Sequence, residues 1–173
     1  MKSRASIAGH PIHPMLVGLP IGLVLWTITA DIIYLVTGKD RVWYDIAFYS
    51  GIAAWITALV AALPGLVDYL TMAVKTEVKG MATAHMAINV TVVLLFIIAS
   101  AVMMDHNALT GGSLTLVVVL HAIGAGMLGL SGWLGGEMVY RYHLSMIPDD
   151  LEVERAEQRR HYEGTARVGQ HRF

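Results

Sequence analysis

Six ionisable side chains in this 173-residue chain sit where they could do chemistry. His10 and His13 stand in GHPIHPMLVGLPIGL, directly before a long apolar run. Asp68 follows the second such run, His85 opens the third and Glu137 follows the fourth. His121 lies inside the fourth, between VVVL and AIGAG. A polar side chain in or beside a lipid-crossing segment is costly, so each needs a partner or a role. Three kinds of chemistry fit these residue types. Haem iron takes one or two axial histidines, and helix bundles hold haem between facing helices. Histidine–carboxylate sets hold divalent transition metals such as zinc, iron, nickel or copper. A proton-carrying or purely structural polar network needs no cofactor.

The elements that must position these residues are membrane spans. The chain is 55% apolar and 14% charged, whereas soluble domains are nearer a quarter charged. Runs of about 20 apolar residues cross the hydrocarbon of a bilayer. Four occur, at about 15–36, 46–67, 84–104 and 114–134. They predict one all-α domain over 1–147, an antiparallel four-helix bundle, followed by a charged tail over 148–173. The first span is too long for a signal-peptide core, lacks a cleavage site and contains Asp31, so it is expected to stay. With four spans both termini share a side. That side carries Lys2, Arg4, Lys75, Lys79, Arg141, Arg155, Arg159, Arg160, Arg167 and Arg172, against Lys39 and Arg41 on the other. The bias predicts N-in, C-in.

This topology brings His10, His13, Asp68, His85, Glu137 and His143 to the cytoplasmic end, with Asn89 one turn after His85 on the same face. His121 lies thirteen residues before Leu134, roughly 20 Å of rise into the outer half. Asp105 and His106 fall on the external side. Blander roles compete for most of these. His10 and His13 would simply be interfacial, Asp68 would cap a helix in the next loop, Glu137 would be solvated beside Arg141, and His143 would be surface. His121 resists such a role, because an imidazole within hydrocarbon must hydrogen-bond, carry protons or ligate. Ala125 and Gly129 on its face leave space for a porphyrin. The small residues of span four, Gly124 to Gly136, otherwise predict close helix packing.

Local signals refine the path. Pro11 and Pro14 argue against a continuous helix through His10–His13. Pro20 should kink span one or open its hydrogen-bond ladder. Trp43 and Tyr44 sit in an expected external loop, 37–45, at interface depth. Pro64-Gly65 is expected to close span two, and 71–83 to form a short basic loop, with helix as the alternative. The tail predicts a short exposed helix and then disorder. The chain lacks cysteine, which removes disulfides, thiolate ligands and covalent haem attachment. There is no phosphate-binding loop, dinucleotide fingerprint or nucleophile–base arrangement, and nothing points to nucleic acid.

Four stretches in order, HPIHPMLVGLPIGL, ALPGLVDYL, HMAIN and SGWLGGEMVYRYH, resemble the four-helix bacterial membrane family known as domain of unknown function 2231, over about residues 8–147. The resemblance implies a bacterial inner-membrane protein. Relatives joined to Rieske-type iron–sulfur domains imply redox work. Its motif positions are His10, His13 and His85, with Asp68, Gly135, Gly136 and Glu137; His121 lies outside the pattern. The expectation is a small b-type haem protein of electron transfer. His13 and His85 are the first-choice ligands, then His10 and His121, with Asp68 and Glu137 orienting the rings. The alternatives are a divalent-metal or transport-associated protein using His13, His85, His10, Asp68 and Glu137, and an accessory subunit of a membrane complex. Expected partners are the lipid bilayer, a redox protein, and further copies or subunits.

Overall fold

The computed structural model describes residues 3–72, 74–104, 111–144, 154–155 and 157–162. The chain opens with a two-strand hairpin, β1 (Ser6–Ile7) and β2 (His10–Pro11), pairing Ser6 with Pro11 and Ile7 with His10. Its two-residue turn puts Ala8 at φ 49° and Gly9 at φ 80°. Both are positive, as a tight hairpin with right-handed strand twist requires. The first span is α1 (Ile12–Leu16) and α2 (Gly18–Val36), joined through Val17. Helix therefore starts between the two histidines. Pro14 is tolerated in α1 because first-turn N–H groups have no helical partner. The break at Val17 follows from Pro20, which has no N–H for the carbonyl of Leu16 and crowds it with its ring.

The other spans are α3 (Arg41–Thr71), α4 (Thr76–Met103) and α5 (Gly112–Tyr140). All run beyond their apolar windows. Asp40 caps α3 by accepting from the Val42 N–H at 3.0 Å, so the loop expected over 37–45 ends early. Tyr44 consequently turns inward rather than lying at the interface: it is buried, and its hydroxyl donates to the Met103 carbonyl. Pro64 and Gly65 lie inside α3 rather than ending it. One missing N–H is tolerable where neighbouring helices hold the backbone in place. The basic loop shrinks to the stretch before Thr76, most of 71–83 being helix. In the tail, the described residues between 154 and 162 are helical and exposed.

The helices form a closed ring, α2 beside α3, α3 beside α4, α4 beside α5, and α5 back against α2. Between 17% and 33% of each span's apolar window is buried in the bundle. Most apolar surface, including Leu25, Leu63, Leu130 and Trp133, therefore faces outward, as lipid rather than water would favour. Polar side chains are instead interior: Thr27, Asp31, Ser50, Ser100, His121 and Ser131 are buried. Thr27, Asp31, Ser50 and His121 lie between two apolar layers, one around Tyr34, Tyr44, Met103 and Val117, the other around Val24, Ala54, Val92 and Phe96. The glycines of α5 divide by face. Gly124 lies against Phe96 and Gly135 against His85, while Gly126, Gly129 and Gly132 meet nothing within 4 Å.

Candidate functional site

At the end of the bundle that carries the termini, His13 of α1 and His85 of α4 face each other. Their ring centres are 6.4 Å apart and their planes stand at 89°. His13 Nδ1 is 2.8 Å from the Ala61 carbonyl on α3. His85 Nδ1 is 2.9 Å from both the carbonyl and the hydroxyl of Ser131 on α5. A carbonyl can only accept, so each Nδ1 carries a hydrogen, and in the neutral ring Nε2 keeps the lone pair. Asn89 Nδ2 stands 3.1 Å from His85 Nε2, but its two hydrogens have closer acceptors in Ser131 Oγ at 2.6 Å and the His85 carbonyl at 2.9 Å. Two glycines lie against the rings, and Gly65 makes room for one of them. A Cβ on Gly65 would lie 2.9 Å from His13 Nδ1, and one on Gly135 would lie 3.4 Å from His85 Cε1. All four spans thus contribute to holding the two imidazoles.

The remaining candidates are engaged elsewhere. His10 is exposed on β2 and its Nδ1 bonds the Ala8 carbonyl at 3.1 Å; the hairpin directs it away from the ring of His13 rather than into a shared wall. Asp68 neither orients a histidine nor caps a helix in the next loop. Its carboxylate accepts from Ser3 Oγ at 2.6 Å, the Arg4 N–H at 2.9 Å and the Ala5 N–H at 3.1 Å, which fastens the segment before the hairpin to α3. Glu137 accepts from Arg141 Nη1 at 2.7 Å, one turn on, and that bond raises the guanidinium further above its ordinary range. His143 is exposed at φ 51°. Among the described residues no three histidines or carboxylates approach closely enough to hold a metal ion, so the five-residue set His13, His85, His10, Asp68 and Glu137 is not assembled. Asp105 and His106 lie outside the described residues.

His121 belongs to a second, separate site. It is fully buried, stacked on Phe96 with ring centres 4.7 Å apart, and its Nδ1 is 2.7 Å from Asp31 Oδ2 on α2. Phe96 also fills the space at Gly124, while Gly129, one of the two positions expected to leave clearance beside His121, meets nothing within 4 Å. In the sequence, Asp31 argues only against a signal peptide and its partner is not apparent. The missed signal was depth. Asp31 is five residues inside Val36 and His121 nine inside Gly112, or about 8 and 14 Å from the same end of the bundle.

The fold and the paired histidines define a four-span membrane bundle with a polar site at one end and a buried acid–imidazole pair toward the other. The model of the family described as predicted membrane protein (DUF2231) matches residues 9–148, and the chain belongs to that family. No curated protein and no solved structure matches it.

Proposed function

We propose that the protein is a small b-type haem protein of the membrane that takes part in electron transfer, with His13 and His85 as the axial ligands. The observation that carries this reading is the number of donors that meet. Haem supplies four nitrogens of its own and asks the protein for one or two; a bare divalent metal asks for three or four. Two imidazoles converge here, and the other donors of the expected set are bonded elsewhere. Their disposition supports the same reading. Each Nδ1–H is held by a backbone carbonyl, the outer bond that orients a ligating imidazole and leaves Nε2 as the donor.

Bound haem would supply a reversible one-electron iron couple. The chain's own contribution is to fix ring orientation through Ala61, Ser131 and Gly65, and to keep the site among apolar helices. The excess of basic residues on the terminal side supports a cytoplasmic orientation of both termini, and of this site, in a bacterial inner membrane; a soluble or membrane redox partner would approach from that face. The test is the optical spectrum of protein purified in detergent from cells supplied with haem, oxidised and dithionite-reduced, with a pyridine haemochrome assay. A stoichiometric, reducible b-type spectrum that His13→Ala and His85→Ala lose and His10→Ala keeps is expected. A featureless spectrum from the unaltered protein overturns the reading.

A further inference from the structure

The buried pair of Asp31 and His121 has no part in that site and does not depend on it. Some 15 Å of helix rise along α5 separates His121 from Ser131, with the apolar layer of Val24, Ala54, Val92 and Phe96 between them. The pair faces Thr27 on α2, Gly51 on α3 and Phe96 on α4, none of which titrates. Tyr34 and Tyr44 lie about one turn further out, packed with Met103 and Val117. His121 Nε2 is buried and, among the described residues, without a hydrogen-bond partner. It points at the notch of Gly51, where an added Cβ would lie 3.8 Å from it and 3.7 Å from Thr27 Cγ2. The Thr27 hydroxyl does not reach it, being bonded to the Leu23 carbonyl and Ser50 Oγ.

We propose that Asp31 and His121 form a proton-binding couple, holding between them one proton more than an aspartate beside a neutral histidine, and presenting an N–H at Nε2 toward Gly51. The argument is one of charge. An ionised Asp31 beside a neutral His121 carries a net charge of minus one in the bundle interior, among apolar chains and lipid. Uncompensated charge there costs more than one unbonded polar atom. One added proton makes the pair neutral in either of two arrangements. In the first, an imidazolium donates from Nδ1 to the carboxylate. In the second, a carboxylic acid donates to Nδ1. Both leave the hydrogen between Nδ1 and Oδ2 in place, and both put a hydrogen on Nε2. The orphaned Nε2 is common to the charged and neutral forms, so it does not favour the charged one. Because Nδ1 is engaged by Asp31, Nε2 is the atom through which the couple exchanges its proton.

The test is nitrogen-15 spectroscopy of histidine-labelled protein in detergent at neutral pH, together with infrared spectroscopy of the carboxyl region. His121 is assigned by difference against His121→Gln, or, where that variant does not fold, through the contact of its ring with Phe96 in the unaltered chain. The expected result is a protonated Nε2, with its one-bond coupling to hydrogen, accompanied by either an imidazolium pattern or a carboxylic-acid band. Whichever of the two appears is lost in Asp31→Asn. A bare Nε2 in the unaltered protein overturns the proposal, and so does persistence of the same pattern in Asp31→Asn. Neither outcome depends on haem content, so failure of this inference is distinct from failure of the haem reading.

Discussion

Gly65→Ala is the sharpest probe of the paired-histidine site, with Gly135→Ala as its counterpart. A Cβ at Gly65 would lie 2.9 Å from His13 Nδ1, 3.0 Å from Cε1 and 3.3 Å from Cγ, where ordinary contact begins at 3.4 Å. The ring must retreat by about 0.5 Å, the difference between 3.4 and 2.9 Å. It is anchored by a 2.8 Å bond to the Ala61 carbonyl, one turn away on the same helix. A retreat of that size lengthens the bond to about 3.3 Å, beyond the useful range. Overpacking costs about 1–3 kcal/mol and the weakened bond about 0.5–1.5 kcal/mol. The gain of alanine over glycine within a helix, up to about 1 kcal/mol, offsets part of this. The net is a loss of about 2 kcal/mol, or about 4–8 °C in melting temperature for a chain of this size. At Gly135 the same Cβ meets His85 Cε1 at 3.4 Å and Nδ1 at 3.7 Å, so Gly135→Ala is expected to be neutral or slightly stabilising. Thermal unfolding of both variants in one detergent, followed by circular dichroism, reads the difference. A Gly65→Ala protein that melts at or above the unaltered one, with Gly135→Ala falling, refutes the packing argument.

Three further outcomes follow from the bonds described. Asp68→Ala frees Ser3, Arg4 and Ala5; cleavage by trypsin after Arg4 should rise at least about 10-fold, equivalent to about 1.4 kcal/mol of local stability, and an unchanged rate would show that Asp68 does not fasten that segment. Tyr44→Phe removes the bond to the Met103 carbonyl from a buried layer; a loss of about 1 kcal/mol, read as a fall of about 2–4 °C in melting temperature, is expected, and no fall would mean the bond adds nothing beyond ring packing. Glu137→Gln should leave both melting temperature and any haem spectrum unchanged, because its partner is the exposed Arg141; a change in the spectrum would put Glu137 at the site instead.

The sequence by itself determined the architecture. Apolar run length and the scarcity of charge dictate four spans, since lipid permits the backbone few other solutions. It also singled out His13 and His85, and placed Asn89 on the face of His85, because helical periodicity is local information. What it did not determine was which polar groups meet. His10 and His13 are three residues apart, yet a positive-φ turn at Ala8–Gly9 and a helix beginning at Ile12 send them apart. Asp68 and Glu137 looked like members of one cluster because they share an end of the bundle. At that end, azimuth around each helix decides contact, and azimuth depends on packing. Helix ends moved for a similar reason: Asp40 capped α3 earlier than its apolar run, and tertiary neighbours carried α3 through Pro64. Asp31 and His121 are ninety residues apart, and matching depth was the one legible sign of their meeting. Their contact required α5 to close back on α2, and ring closure is a property of the tertiary structure that neither span encodes alone.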